Sequence, residues 1–321
     1  GGDTDAAADV PAAAEPAQEV KFTPLGQDDE PTTVSPAADA KSNAEDDEPV
    51  TVGKPPLHLV KPEDKGSGGA VVGGLTLRIG NAQDIGKRPQ QQDAFAITPL
   101  EEELVVRDHG VMAVVCDGMG GAAGGKLASE LAASTFLAQF RREMMAGSAV
   151  EPAMRAACDA ANQAVYGRAC ADPELRGMGT TIVAACVRHG RLTVLHVGDS
   201  RAYLVGPRRM QQITTDHSLV QELIASGQVL PEQAHRHPRR NVITRAVGVG
   251  AKVEPDCRSM PFPLGARLLL CTDGLSNTLT DVQMHDFCRS SRDAKQICCR
   301  LIAAALSRGA RDNVTALVLF R

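Results

Sequence analysis

A chain of 321 residues with 43% hydrophobic side chains is long enough to bury a sizeable core, in one large domain or two smaller ones. Its charge is unevenly placed: residues 1–65 carry 15 acidic and 5 basic side chains, net −10, so against a whole-chain net of −5 the remainder carries +5. That +5 lacks the dense Lys/Arg tracts and interleaved aromatics of a nucleic-acid surface, and no apolar run approaches the ~18 residues that span a membrane.

From Gly1 to about Gly69 the chain is rich in Ala, Pro, Asp and Glu and holds one aromatic, Phe22. It cannot bury enough apolar area to offset chain entropy, so residues 1–70 are expected to form a disordered acidic tail and 71–321 a catalytic-sized domain. Residue 1 is Gly, no signal peptide is visible, and the natural start is expected upstream. Two phrases in the tail nearly repeat, "DDEPTTV" at Asp28–Val34 and "DDEPVTV" at Asp46–Val52. They read either as drift in a low-complexity linker or as accessible threonines that a kinase could modify.

After "KGSGG" the pattern changes to short apolar segments. Strands are expected at "LTLRI" (Leu75–Ile79), "VMAVVC" (Val111–Cys116), "TTIVAACV" from Thr180, "RLTVLHV" from Arg191, "ARLLLCT" from Ala266 and "NVTALVLF" from Asn313. Helices are expected from Lys126 to about Met145 and from Pro152 to about Ala169, with shorter ones beginning near Ser218, Thr280 and Arg292. The stretch from Thr180 to Val205 reads as consecutive antiparallel strands, turning at His189–Gly190 and Asp199–Ser200. Nine cysteines without CxxC spacing, several inside apolar runs, point to reduced thiols in a cytoplasmic protein.

Gly120–Lys126 fits the GxxxxGK of a nucleotide-binding loop, but Leu127 follows where a Mg²⁺-binding Ser or Thr belongs. Four aspartates occupy strand ends: Asp117, Asp199, Asp273 and Asp312. Each alone is an ordinary turn residue beside Gly, Ser or Asn. Four together would be crowded charge that needs cations, and oxygen ligands without His or Cys select Mg²⁺ or Mn²⁺. His196 and His217 read as hydrogen-bonded histidines without an assigned role.

"GKRPQQQDAF" (Gly86–Phe95), "DGMGG" (Asp117–Gly121), "GMGTT" (Gly177–Thr181), "HVGDSRAYL" (His196–Leu204), "TTDHSLVQELIASGQV" (Thr214–Val229), "HPRRNVITRAVG" (His237–Gly248), "CTDGLSN" (Cys271–Asn277) and "RDNVTALV" (Arg311–Val318) occur in one order. Together they resemble the successive signatures of the metal-dependent Ser/Thr protein phosphatases, the protein phosphatase 2C or PPM family, in compact bacterial form. The resemblance covers about residues 72–321.

It implies an α+β fold, a central β-sandwich of two antiparallel sheets flanked by pairs of α-helices, with metals in a cleft at one end. By similarity Asp117 bridges two Mn²⁺ or Mg²⁺ ions and the Gly118 carbonyl helps hold the second. Asp273 and Asp312 hold the first, Asp93 sits close to the second, and Asp199 joins Asp273 around a weaker third ion found in many bacterial relatives. Arg88 matches the arginine that binds substrate phosphate, a role its forked guanidinium suits. The implied reaction is direct hydrolysis of phosphoserine and phosphothreonine on proteins by metal-activated water. The implied partners are phosphoproteins and a cognate Ser/Thr kinase, and a monomer is expected. Two residues depart from the family pattern: Gln92 replaces an acidic residue, and Met119 stands where some members carry a histidine proposed as leaving-group acid. A family member acting only as a binding scaffold remains the rival reading. Thr214–Gly248, long for a connector and carrying Arg239 and Arg240, is expected to be a mobile substrate-contacting flap.

Overall fold

The computed structural model describes residues 68–72 and 75–320. The acidic tail and its paired threonine phrases lie outside the described residues. In chain order the strands and helices are β1 (Gly68–Val72), β2 (Leu75–Asp84), β3 (Asp93–Ile97), α1 (Glu103–His109), β4 (Val111–Met119), α2 (Gly121–Met145), α3 (Val150–Ala171), β5 (Gly179–Thr180), β6 (Ile182–Arg188), β7 (Arg191–Val197), β8 (Arg201–Val205), β9 (Met210–Gln212), α4 (Leu219–Ala225), β10 (Asp256–Pro261), β11 (Arg267–Cys271), α5 (Asp273–Ser276), α6 (Asp281–Arg289), α7 (Ala294–Ser307) and β12 (Val314–Phe320). β1 straddles the boundary expected at residue 70.

Two antiparallel sheets form the centre, one in the order β1-β2-β12-β11-β8-β9 and the other β10-β7-β6-β4-β3, with β5 paired to β4. Strands β4, β6, β7, β11 and β12 are buried along most of their length and read as largely apolar because both of their faces are covered. The period of two is still present. On β4, Val111, Ala113 and Val115 point between the sheets to Leu268 and Leu317, while Met112, Val114 and Cys116 point outward to α2 and α3. A third core layer packs α6 and α7 on the outer face of the other sheet through Leu269, Val318, Ile297 and Leu301. The expected sandwich flanked by helices is therefore the observed one.

Helices α2 and α3 meet through small residues, Ala128, Ala132 and Ala133 against Ala153, Ala157 and Ala161, with Phe136 and Phe140 filling the wider gaps. α2 begins at Gly121, five residues before the expected start. Gly120 caps it in a left-handed conformation, φ +112°. The GxxxxGK stretch is thus coiled into the first turns of a helix rather than open as a phosphate cradle, which disposes of the nucleotide-loop reading. A Cβ on Gly118 would run into the backbone of Gly125 and Gln92, so glycine there lets the end of β4 lie against α2.

The hairpin expected at Asp199–Ser200 is not one. β6 and β7 do pair across His189–Gly190, but β8 leaves that sheet and pairs with β11 and β9 in the other. Gly198, φ +102°, makes this sheet-to-sheet crossing possible, and a side chain there would strike Thr181.

All nine cysteines are free, with Cys116, Cys158, Cys186, Cys271, Cys288 and Cys298 buried. No helix among the described residues is long and apolar enough to cross a membrane.

Candidate metal centre

The strand ends at one edge of the sandwich enclose a cleft of about 350 Å³ lined by Arg88, Asp117, Gly118, Asp199, Asp273 and Asp312 together with Gln92, Asn241 and Ile243. Each carboxylate arrives on a different segment. Asp117 is near the end of β4, Asp199 lies in the crossing between the sheets, Asp273 opens α5 after β11, and Asp312 immediately precedes β12. Asp93, first residue of β3, is the register partner of Asp117 and lies beneath the cleft. The structure brings together all of the residues singled out in the sequence.

Asp93 is fixed by two hydroxyls: its Oδ2 accepts from Thr272 Oγ1 at 2.9 Å and from Thr315 Oγ1 at 2.7 Å. Asp117 is held through its backbone, whose N–H donates to Thr181 Oγ1 at 3.0 Å while its carbonyl accepts from Thr181 N at 2.9 Å and Thr180 Oγ1 at 2.8 Å. Thr181 also shares a hydrogen bond of 2.7 Å with Ser200, beside Asp199. One side chain therefore sets the spacing between two of the carboxylate segments.

Buried carboxylates so close to one another resist ionisation. Burial, then the charges of Asp273 and Asp312, push Asp93 up to about 7 against two opposing hydroxyl bonds. Asp199 is pushed up to about 7 and Asp273 to about 6, burial leading in both. Asp117 is also raised well above its ordinary value, by burial first and then by Asp93, Asp273, Asp199 and Asp312. Meanwhile Asp93 Oδ1 and Asp273 Oδ1 are buried without a hydrogen-bond partner. Buried oxygens without donors, on carboxylates that repel one another, match the hard oxygen donor set of Mg²⁺ or Mn²⁺, so these residues fit divalent ions.

Among the described residues Arg88 is the one cation lining the cleft, and its Nη2 donates to Asp312 Oδ2 at 2.6 Å. That bond, with the Asp312 charge, raises the Arg88 pKa above its ordinary value. The loop carrying Arg88 is pinned by a residue that sequence reasoning treated only as a polar neighbour. Asn313 Oδ1 accepts from Gln92 N at 2.7 Å, and its Nδ2 donates to the carbonyls of Ile85 and Gln90 at 2.9 and 3.1 Å. Its only sequence signal was its place in "RDN", between a candidate ligand and an apolar strand. Gln92, in place of an acidic residue, donates from Nε2 to the Gly121 carbonyl at 2.6 Å and so ties this loop to α2. Arg240 lines an adjoining chamber of about 250 Å³ that shares Asp199 and Asp273 with the main cleft. The segment expected as a flap thus supplies Asn241 and Ile243 to one cavity and Arg240 to the next.

A second group of potential ligands, His196, His217 and Asp256, has its donor atoms within 4.8 Å of one another. It is unsuited to a cation. His217 Nδ1 accepts from Gly198 N at 3.2 Å, which leaves the ring proton on Nε2, and the Arg245 guanidinium stands 3.4 Å from that nitrogen.

Comparison with known proteins agrees with the fold. The protein phosphatase 2C family profile matches residues 83–307. The Ser/Thr phosphatase stp of Listeria welshimeri is 36% identical over 217 residues, 67% of this chain and 86% of that protein. Among solved structures, Ser/Thr phosphatase Stp1 from Staphylococcus aureus superposes with a TM-score of 0.69 at 29% identity, covering 80% of this chain and 99% of that one. The catalytic domain of the Ser/Thr protein phosphatase PstP, in complex with two manganese ions, gives a TM-score of 0.65 at 33% identity over 76% of this chain and 97% of that one. The chain belongs to the protein phosphatase 2C family.

Proposed function

We propose that this cleft hydrolyses phosphoserine and phosphothreonine esters on proteins, using two Mn²⁺ or Mg²⁺ ions. The observation that carries the reading is the convergence of five carboxylates, two with orphaned buried oxygens, beside a single arginine that opens onto the cleft. Asp117 and the Gly118 carbonyl, Asp273, Asp312 and Asp93 are the groups that would hold the pair, with Asp199 and Asp273 offering a third position. Bound there, such ions supply Lewis acidity at the phosphoryl oxygens and make water a competent nucleophile near neutral pH.

The chain's own residues do the rest. Arg88 grips two phosphate oxygens with its guanidinium fork, held in place by Asp312 and by the loop that Asn313 fastens. Among the described residues no cysteine, histidine or lysine lines the cleft, which favours direct attack by water over a phosphoenzyme on such a side chain. Met119, also on the lining, has no proton to give, so solvent protonates the departing Ser or Thr oxygen. A scaffold role is disfavoured because the complete carboxylate set and Arg88 are present. Such an enzyme opposes a Ser/Thr kinase, and nine unpaired thiols suit a reducing cytoplasm.

The test is phosphate release from a phosphothreonine peptide with and without Mn²⁺. Turnover should appear on adding the ion and stop with chelator, with ATP left intact. Metal-independent turnover, or none under any metal, overturns the reading.

A further inference from the structure

Arg78, Arg267, Arg289, Arg292 and Arg300 gather at the end of the sandwich opposite the metal cleft. The register fixes the place. Arg267 opens β11, whose other end leads to Asp273, and Arg78 on β2 pairs with Phe320 at the far end of β12 from Asp312 and Asn313. From Arg267 to Asp273 the chain advances six residues, roughly 20 Å at the rise of a strand.

The connection from α6 to α7 draws these side chains together. Arg267 Nη1 donates to the carbonyls of Cys288 and Ser291, the latter at 2.8 Å, and its guanidinium lies 4.3 Å over the Phe320 ring. Arg78 Nη1 donates to the Arg292 carbonyl at 3.2 Å, and Arg300 Nη1 donates to the Ser290 carbonyl at 3.3 Å and to its hydroxyl at 3.0 Å. Arg289 Nη1 reaches the Gly265 carbonyl at 3.4 Å, and the Arg292 side chain makes no hydrogen bond among the described residues.

Arg267 has a structural reason to be here, since it satisfies a carbonyl in the last turn of α6. The other four are exposed and commit at most Nη1, which leaves Nε and Nη2 of each fork open. No ion pair among the described residues includes any of the five. Between Phe287 and Arg300 the sequence holds four basic residues and one acidic one, Asp293, whose Oδ1 is taken up in capping α7 through Lys295 N and Gln296 N. The cations also feel one another: burial, then the charges of Arg289 and Arg292, lower the Arg267 pKa. Gathered like charge of this kind costs stability, and the fold alone does not require it.

We propose that this cluster docks a phosphorylated segment of the substrate protein, holding one phosphate while a second, distant one lies in the metal cleft. The proposal rests on the reading of the cleft as a protein phosphatase, which brings substrates of that chemistry. A phosphomonoester with nearly two charges and three acceptor oxygens suits open guanidinium forks. Phe320, the ring beneath Arg267, is buried and offers no face on which a base could stack, which disfavours nucleic acid. Spacing follows from the geometry. Two phosphates about 4 residues apart cannot bridge roughly 20 Å even when fully extended, whereas a flexible stretch of about 16 residues has a root-mean-square span of about 22 Å.

The test uses the full chain with Mn²⁺ and three peptides that share one phosphothreonine. One carries a non-hydrolysable phosphonate about 16 residues away, one carries it about 4 residues away, and one lacks it. The long-spaced peptide should show a KM about fivefold below the other two with kcat unchanged, and about 0.3 M NaCl should erase most of that advantage. Arg289→Gln, Arg292→Gln and Arg300→Gln together should abolish the advantage and leave turnover of a small aryl phosphate within about twofold. Arg292→Gln alone, with no hydrogen bond to lose, should remove about half of it. An advantage that survives the triple variant, or none in the parent while the aryl phosphate is turned over, overturns the docking site and leaves the phosphatase reading standing. If nothing is turned over, that reading has failed, and fluorescence anisotropy of a phosphonate-only peptide in chelator still decides the docking: binding must be at least about fivefold tighter to the parent than to the triple variant. Phosphatidylglycerol vesicles that sediment with the parent and not with the triple variant, without any effect of spacing, would assign the arginines to a membrane surface and overturn the proposal.

Discussion

Asp199 and Arg201 stand two residues apart and belong to opposite kinds of buried charge. Arg201 donates from Nε to both oxygens of Asp216 at 3.0 Å and from Nη2 to Oδ2 at 2.6 Å, while its Nη1 donates to Tyr203 Oη at 3.1 Å and Gln212 donates to Asp216 at 3.0 Å. Burial works to lower the Arg201 pKa, and the charge of Asp216 with the hydrogen bonds to Asp216 and Tyr203 overcomes it, so the arginine stays ionised. On the other side of Ser200, the carboxylates around Asp117 repel one another and two keep oxygens without donors. The first cluster is complete within the protein. The second is complete only with cations, and that incompleteness marks it as functional.

Substitutions should therefore act in opposite directions in the two clusters. Asp117→Asn should lower phosphopeptide turnover on the order of a thousandfold or more, several kcal/mol of transition-state stabilisation, yet raise the melting temperature in chelator because a buried carboxyl that resists ionisation is replaced by an amide that never has to ionise. Turnover near the parent value at low Mn²⁺ would remove Asp117 from the metal centre. Arg201→Met should do the reverse, destabilising the fold by about 3 kcal/mol in urea titration by leaving Asp216 uncompensated. A change within about 0.5 kcal/mol would show the pair to be dispensable.

Next in size is the linkage between pH and metal. Without metal, Asp93 and Asp199 at about 7 and Asp273 at about 6 keep protons that the unfolded chain, near 3.8, has already released. The stability they contribute is full below the unfolded value and is lost as pH rises through 6 to 7. His196 and His217, lowered from 6.5 chiefly by burial, act the other way, costing stability as pH falls below 6.5. The carboxylates outnumber them, so melting in chelator should decline from pH 5.5 to pH 8. Mn²⁺ at a hundredfold over its dissociation constant contributes ~2.7 kcal/mol, roughly 5–10 °C, and should do so more fully at pH 8. A metal-induced shift that is greater at pH 5.5 would contradict the placement of the ions among these carboxylates. The smallest effect belongs to the flap, where Arg239 and Arg240 are solvent-exposed. Neutralising both should change preference among acidic phosphopeptides by about threefold and leave a small aryl phosphate untouched. Equal losses on both would assign them to general stability.

Much of this was legible in the sequence because strand-end carboxylates advertise themselves twice, as a break in an apolar run and as a charge beside glycine. Asp117, Asp199, Asp273 and Asp312 were all visible in that way. The path of the chain between them was less so. A glycine with positive φ before a short turn reads the same whether the next strand folds back on its neighbour or crosses to another sheet, and only the pairing of β8 with β11 decides it. β10 escaped notice because it is an edge strand of largely exposed polar residues, without an apolar run to betray it. His217 and Asn313 were illegible for a related reason: each acts through hydrogen bonds to backbone groups far away in sequence, and nothing local distinguishes such a residue from an ordinary turn or core polar group.

The place of β12 has a consequence for how the protein comes into being. Val314–Phe320 lies in the interior of its sheet, between β2 near the start of the domain and β11, and Asp312 and Asn313 lead directly into it. During synthesis β2 must wait for more than two hundred further residues before its main partner exists. Until then one side of the sheet is open, the loop carrying Arg88 lacks the three bonds that Asn313 makes to it, and the carboxylate set is one short. The cleft and the central strand are therefore acquired in the same event, and a chain that stops before residue 312 would have neither.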